Sequence, residues 1–203
     1  YLRKKQPEII YSQMVKICSI GESQVAEEIQ DLISQQSNPT IAPYAKTGEV
    51  HLRVTAKAEN EKECKKLIKP VVRELKSRFG KNIFATEEKK TLEEAVVDML
   101  KDQKLTLSLA ESCTGGAIAS RIVNVPGASD VFLQGMVTYS NRAKRKSLGV
   151  KKNTLKTYGA VSEKCAKEMA KGGCFVTKTD ICLSVTGIAG PDGGTKEKPV
   201  GTV

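Results

Sequence analysis

The sequence contains no tryptophan, a single histidine and few aromatic side chains of any kind. Aromatic residues make up only 4% of the chain, so we expect a core built mainly from aliphatic side chains. No apolar run approaches the roughly 20 residues needed to span a bilayer. The residues after Tyr1 also lack the charged and then apolar pattern of a secretory signal peptide. We therefore expect a globular protein located in the cytoplasm.

Spacings typical of metal ligands are also missing. The six cysteines form no Cys-x-x-Cys pair, and the lone His51 does not complete a zinc set. Reduced thiols are the usual state of cysteines in a reducing compartment. His51 lies at an outward position of a predicted hairpin, where we expect a surface residue. The sequence therefore predicts no metal site and no cofactor.

The net charge of +10 is not concentrated in any one segment of the chain. The positive excess is shared equally between residues 1–90 and 91–203, so there is no basic tail or arm. This balance permits nucleic-acid binding without indicating it, because a clustered basic stripe and stacking aromatics are not evident. A phosphorylated small substrate would suit the same charge. We expect neither nucleic acid nor a membrane as a partner.

Residues 1–86 carry strand and helix patterns in the order β-α-β-β-α-β. Hydrophobic periodicity predicts strands over 14–20, 40–44, 49–58 and 82–86, and helices over 22–34 and 60–79. This order predicts a small ferredoxin-like α+β domain. A KH-like RNA-binding module has a similar size, but the Gly-x-x-Gly clamp of such modules is absent. A scaffold or linker role is the better interpretation.

Residues 87–203 alternate strands with helices, which predicts a layered α/β/α domain. Strands are expected over 105–110, 136–140 and 180–186, and ligand sites in such sheets gather where the strands end. Unusual residues follow all three predicted strands, within 111–116, 139–146 and 187–194. The first of these loops joins a strand to a helix through two glycines, a geometry that directs backbone N–H groups at an anion. The sequence therefore predicts an active site at this edge.

Three interpretations of these loops remain open from the residues alone. Ser129 would be a nucleophile and Lys144 its base, with Tyr139 relaying a proton, provided that burial or cationic neighbours lower the lysine pKa. Alternatively, Cys113 at a helix start would be the nucleophile of a Glu111, Lys144 and Cys113 set. In the third interpretation Cys113 only packs and the lysines form a solvated face.

Five separated motifs resemble the CinA family, and in particular its C-terminal nicotinamide-nucleotide amidase domain. Residues 1–86 resemble the KH-type middle domain that precedes this amidase domain in the family. The resemblance therefore spans nearly the whole chain. The motifs are AESCTGG (110–116), PGASDVF (126–132), VTYSNRAK (137–144), YGAVSE (158–163) and TGIAGPDGGTKEKPVGTV (186–203).

The resemblance implies an enzyme of pyridine nucleotide salvage. Such an enzyme hydrolyses nicotinamide mononucleotide to nicotinate mononucleotide and ammonia without a metal, and we expect a homodimer. The family's catalytic serine, lysine and tyrosine are placed on Ser129, Lys144 and Tyr139. We expect the backbone N–H groups of the first loop to meet the ribosyl phosphate or a polar edge of the substrate. The predicted substrate-binding residues are Glu111, Ser112, Thr114, Gly115, Gly116, Thr186, Gly187 and Gly190.

Two differences from the family pattern accompany the resemblance. The N-terminal nucleotide-pyrophosphatase domain of the family is missing, and the amidase domain stops at Val203 within a predicted strand. We therefore expect a C-terminally incomplete piece of a longer protein. The alternative function is a non-catalytic nucleic-acid or protein interaction module associated with competence or DNA damage. The missing clamp and the dispersed charge argue against that alternative.

Overall fold

A computed structural model of the protein describes residues 8–203, so the first seven residues of the predicted first domain lie outside the described part. The chain forms two compact units, which divide between Ala95 and Val96. This division falls within a helix that runs from Leu92 to Gln103. Within residues 8–203, no helix has the length and apolar character required to cross a membrane.

The first unit is built on a four-stranded antiparallel sheet with the strand order β2-β3-β1-β4. This is the predicted ferredoxin-like arrangement, which the structure confirms. The first strand starts earlier than predicted because it pairs with β3 along its whole length, from Ile9 opposite Ala58 to Cys18 opposite Glu49. The strands are β1 (Ile9–Cys18), β2 (Thr40–Lys46), β3 (Glu49–Ala58) and β4 (Ile83–Ala85).

The helices of the first unit are α1 (Glu22–Glu28), α2 (Gln30–Ser34) and α3 (Glu61–Phe79). The single helix predicted over 22–34 is interrupted at Ile29, whose φ of −114° leaves the helical region. Helix α3 begins at the predicted cap, where Asn60 Oδ1 accepts a hydrogen bond from the Glu63 amide at 3.0 Å. It continues past Pro70 as one helix. Its buried face consists of Cys64, Ile68, Val72, Leu75 and Phe79.

The second unit contains a parallel sheet with the strand order β6-β5-β7. Strand β5 (Leu107–Glu111) is central and every one of its residues is buried. Strand β6 (Phe132–Val137) starts and ends earlier than predicted, because Ser140 already caps the next helix. Strand β7 (Ile181–Val185) lies on the other side of β5, close to its predicted position.

Helices cover both faces of this sheet. On one face, Leu107 and Leu109 pack in a cluster with α4 (Leu92–Gln103) and α5 (Ala117–Val123). On the other face, Ala110 packs with residues of α6 (Asn141–Leu148) and α8 (Glu163–Thr177). The short helix α7 (Lys152–Thr157) precedes α8. The predicted α/β/α layering is therefore confirmed, and the buried central strand explains why its apolar run is continuous.

The core of the first unit offers a test of this packing. Leu52 on β3 has no solvent exposure, so Leu52→Ala leaves a cavity and should destabilise the unit by about 2–5 kcal/mol. The exposed Lys46 provides the control, since Lys46→Ala should change the stability by no more than about 0.5 kcal/mol. Urea denaturation followed by peptide-resolved hydrogen exchange reports each unit separately. Equal stability of the two variants would contradict the described core.

Candidate active site

The carboxyl ends of the three strands of the second unit lie at one edge of the sheet, because the strands are parallel. The Thr138 amide donates to the Glu111 carbonyl at 2.7 Å, and the Ser112 amide donates to the Val185 carbonyl at 3.0 Å. These two hydrogen bonds extend the sheet just beyond its last paired residues. The structure thus brings the starts of all three loops together, as the strand pattern predicts.

A buried lysine is the central feature of this edge. The Lys144 side chain extends from α6 and donates hydrogen bonds from Nζ to Ser112 Oγ at 2.7 Å, the Thr138 carbonyl at 2.9 Å and the Tyr139 carbonyl at 3.1 Å. Lys144 is 1% exposed and Ser112 is 6% exposed. The helix is fixed at its start, where Ser140 Oγ accepts from the Ala143 amide.

The burial of Lys144 makes its neutral amine more accessible than that of an exposed lysine. Burial lowers the pKa of Lys144 below its ordinary value, and the nearby thiols of Cys165 and Cys113 oppose this shift only in part. The pKa of Lys144 is therefore lowered by burial and not by cationic neighbours. A neutral amine has two N–H bonds, which match the two carbonyl acceptors, and one lone pair. In this neutral form the 2.7 Å contact with Ser112 would run in the other direction, with the Ser112 hydroxyl donating to the lone pair, which is the arrangement that a general base requires.

Ser129 does not belong to this cluster, and the predicted Ser129–Lys144 pair has to be corrected. Ser129 is exposed and lies in a single turn of 3₁₀ helix, residues 128–130, that precedes β6. Lys144 follows the carboxyl end of the same strand. The two residues therefore lie at opposite ends of β6, and Ser112 is the serine that contacts the lysine.

Tyr139 contributes its backbone to the cluster. Its carbonyl accepts from Lys144, whereas its side chain is 70% exposed. The predicted proton relay through the phenol stays a prediction.

Glu111 caps a helix instead of facing the lysine. Its carboxylate accepts hydrogen bonds from the amides of Gly116 at 3.1 Å, Ile118 at 3.2 Å and Ala119 at 2.8 Å, at the start of α5. Burial alone would raise the pKa of Glu111, but the hydrogen bonds from these three amides help to lower it. The carboxylate oxygens are thus occupied. The structure therefore gives Glu111 a helix-capping role and not a contact with Lys144, while substrate binding by Glu111 stays a prediction.

The glycine corner also differs from its predicted role. The Gly115 amide donates to the Ser112 carbonyl and the Gly116 amide donates to Glu111, so neither N–H group is available for a phosphate. Both glycines have a positive φ, which the tight corner requires. The amides of Cys113 and Thr114, in contrast, donate to no protein acceptor within residues 8–203. These two N–H groups immediately follow Ser112 in the chain.

The glycine-rich loop after β7 is held close to this corner. Gly187 packs so tightly that an added Cβ would lie 3.0 Å from Cys113 Sγ and 2.6 Å from the Thr202 carbonyl. The Thr186 hydroxyl donates to the Ala160 carbonyl at 2.9 Å, so its side chain supports the loop. Gly190, with φ +81°, has no room for a Cβ beside Val200.

Lys198 makes a contact that the sequence motifs do not indicate. Its Nζ donates to the carbonyls of Val161 at 2.7 Å and Tyr158 at 3.2 Å. Together with Thr186 it fastens the glycine-rich loop to the segment before α8. Lys198 lies within the motif at 186–203, but nothing in that motif predicts these two carbonyl contacts.

The described residues include no group of three or more His, Cys, Asp or Glu side chains that could hold a metal ion. The polar groups at the edge include the Ser112 hydroxyl, the Lys144 amine, the Cys113 thiol and backbone amides. This set is suited to nucleophilic attack with an amine as the base.

Comparison with known proteins identifies the family. The family model of the CinA C-terminal domain matches residues 89–203, and that of the damage-inducible protein CinA KH domain matches residues 12–85. The chain belongs to the CinA family. A putative competence-damage inducible protein of Clostridium beijerinckii is 57% identical over the whole chain, and a CinA-like protein of Kosmotoga olearia is 52% identical. The chain covers 49% of each, so it spans about half the length of these curated relatives.

Solved structures of the same family are similar in fold. The competence/damage inducible protein CihA from Agrobacterium tumefaciens has a TM-score of 0.53 and 46% identity, over 54% of this chain and 67% of that chain. A CinA superfamily protein from Escherichia coli has a TM-score of 0.53 and 36% identity, over 60% of this chain and 73% of that chain. The names of these proteins specify no reaction.

The cap formed by Glu111 predicts a pH dependence of stability. Because the folded-state pKa of Glu111 is lowered, its contribution is complete above the ordinary carboxyl value of about 4.5 and is lost as pH falls through the folded-state pKa. Glu111→Gln should lack this contribution and lose about 1–3 kcal/mol at neutral pH, since an amide nitrogen then faces the helix N–H groups.

The control for this variant is Glu163→Gln, because Glu163 is exposed in the first turn of α8 and, among residues 8–203, forms its ion pair with Lys167 alone. Urea denaturation at several pH values measures both variants. A stability loss in Glu163→Gln that equals the loss in Glu111→Gln would contradict the assignment.

Proposed function

We propose that this protein is an amidohydrolase in which Ser112 is the nucleophile and Lys144 is the general base. The observation that carries the proposal is the 2.7 Å contact between Lys144 Nζ and Ser112 Oγ in a nearly solvent-free setting. A buried lysine held by two carbonyls is suited to accept a proton, because its charged form is disfavoured. Ser112 takes the place of Ser129 in the mechanism.

The reaction proceeds in two halves. Ser112 Oγ attacks the carboxamide carbon while Lys144 accepts the hydroxyl proton, and a tetrahedral oxyanion forms. Lys144 then returns this proton to the leaving nitrogen, so that ammonia departs and an acyl ester remains on Ser112. Water, deprotonated by the neutral Lys144, attacks the ester. As the carboxylic acid leaves, protonated Lys144 donates this proton to Ser112 Oγ, which regenerates the Ser112 hydroxyl and the neutral amine.

The free amides beside Ser112 supply the donors for the oxyanion. The N–H groups of Cys113 and Thr114 are unoccupied within the described chain, whereas those of Gly115 and Gly116 are used internally. Fixed donors next to a nucleophile stabilise the negative charge that develops in the transition state. The candidate oxyanion donors are therefore the amides of Cys113 and Thr114 instead of those of Gly115 and Gly116.

The proposed substrate is nicotinamide mononucleotide, whose carboxamide is the group that reacts. The resemblance to the CinA amidase domain supports this choice. The charge of the loop that carries the lysine also supports it, because residues 141–157 include seven lysines and arginines and no acidic residue. Six of these seven cations are exposed and Lys144 is buried. Such a surface attracts an anionic nucleotide. The expected homodimer and cytoplasmic location stay predictions.

The first test is ammonia release from nicotinamide mononucleotide by the full-length protein. Ser112→Ala removes the nucleophile and should lower kcat by about 10³-fold or more. Lys144→Met removes the base with little change of shape and should lower kcat by about 10²–10⁴-fold. Thermal melting of each variant establishes that it is folded at the assay temperature.

Ser129→Ala is the matched control and should keep its kcat within about twofold, as for a surface substitution remote from the chemistry. Cys113→Ala separates the serine mechanism from the cysteine alternative, in which this variant would be inactive. Full activity of Ser112→Ala, or no ammonia release by the unmodified protein, would contradict the proposal.

The pH profile provides a second test. Only neutral Lys144 accepts the proton of Ser112, so kcat/KM should rise with pH and level off above the lowered pKa of Lys144. The plateau should therefore begin below the ordinary lysine value of 10.5. Initial rates measured from about pH 6 to 10 check this profile. A kcat/KM that falls as the pH rises through this range would exclude a lysine base.

A further inference from the structure

The outward face of α3 carries a row of basic side chains. At 3.6 residues per turn these side chains fall within an arc of about 100° around the helix axis. All of them are exposed, and the row extends for about 21 Å along the helix. Its members, which we call the α3 basic row, are Lys62, Lys65, Lys66, Lys69, Arg73 and Lys76.

The acidic residues of α3 lie outside this arc and are already paired. Glu61 contacts Lys65 at 2.6 Å, Glu63 contacts Lys66 at 2.7 Å, and Glu74 contacts Arg78 at 2.8 Å. Within residues 8–203 the structure shows no ion-pair partner for the other four cations of the row. These four are Lys62, Lys69, Arg73 and Lys76. They therefore present uncompensated positive charge along one side of the helix.

The row is rigidly presented. The opposite face of α3 is buried in the core of the first unit, and Asn60 caps the start of the helix. A ligand that binds the row would not have to order the backbone first, which removes one cost of binding. Because the apolar face is buried in the core, α3 offers a charged surface with little apolar area to insert into a lipid bilayer.

We propose that the α3 basic row binds the phosphate backbone of nucleic acid. A row of about 21 Å corresponds to the axial rise of about six base pairs of a duplex, so it is long enough to reach several phosphates. Helix α3 itself presents no aromatic side chain on this face, and the nearby Tyr11 ring already contacts Lys65 Nζ at 5.2 Å from its centroid, so we expect binding that is independent of sequence and sensitive to salt. The sequence predicts no nucleic-acid partner, because the positive charge is spread evenly along the chain. A count along the chain does not show that six of the cations lie on one side of a single helix.

The position of the row differs from that of a Gly-x-x-Gly clamp. Such a clamp would hold the backbone of a single strand in a loop, and residues 1–86 contain no such motif. The α3 row needs no loop, since the side chains of one helix provide all of its charge. The surface also belongs to the first unit, so nucleic-acid binding does not depend on the amidase chemistry.

The test measures binding of the full-length protein to labelled, mixed-sequence DNA of about 20 nucleotides, as a single strand and as a duplex. The variant Lys62→Gln, Lys69→Gln, Arg73→Gln, Lys76→Gln should bind at least tenfold more weakly at low salt. Its slope of log affinity against log salt should also be smaller by about 3, because four phosphate contacts are lost. Single variants at Lys69 and Arg73 should each reduce the slope by about 1.

The control variant removes the same charge from exposed lysines outside both the α3 basic row and residues 141–157, through Lys104→Gln, Lys164→Gln, Lys171→Gln and Lys178→Gln. It should keep the affinity for DNA and the salt slope of the unmodified protein. Equal losses in the two variants would show non-specific attraction by net charge and would overturn the proposal. Absence of DNA binding by the unmodified protein at low salt would overturn it too. Binding to vesicles of anionic lipid without binding to DNA would also contradict it.

Discussion

The removal of one lysine amine from water determines most of the chemistry proposed for this protein. Lys144 is 1% exposed, and its only hydrogen-bond partners within residues 8–203 are two carbonyls and the Ser112 hydroxyl. Because no carboxylate compensates a charge there, burial favours the neutral amine. The Glu111 carboxylate lies nearby in the chain, but its oxygens are occupied by the start of α5. The amine therefore keeps its basicity for the serine.

The direction of the parallel strands determines which serine can reach this lysine. Ser112 follows β5, and Lys144 follows β6 at the same edge of the sheet. Ser129 precedes β6, so the length of this strand separates it from the edge of the sheet where Lys144 lies. The sequence rule that ligand sites gather where parallel strands end would have favoured Ser112, because it is the serine that directly follows a buried strand.

The sequence predicted the fold better than the details of the site. Hydrophobic periodicity identified both sheets, since alternation in β3 and the continuous apolar run of β5 reflect how many faces are buried. The same patterns placed the three loops at one edge. They did not show which backbone amides are already used, because these hydrogen bonds depend on the corner geometry of Gly115 and Gly116. Likewise, a count of charge along the chain did not show the α3 basic row, because its members are separated in sequence and come together only on one side of the helix.

The base and most of its support come from one short stretch of chain. The carbonyls of Thr138 and Tyr139, the cap Ser140 and Lys144 itself lie within seven consecutive residues. Fraying of the first turn of α6 would therefore remove the amine and two of its acceptors together, while the central strand stays intact. Heat inactivation of the protein would then follow the loss of this single turn and precede the melting of either core.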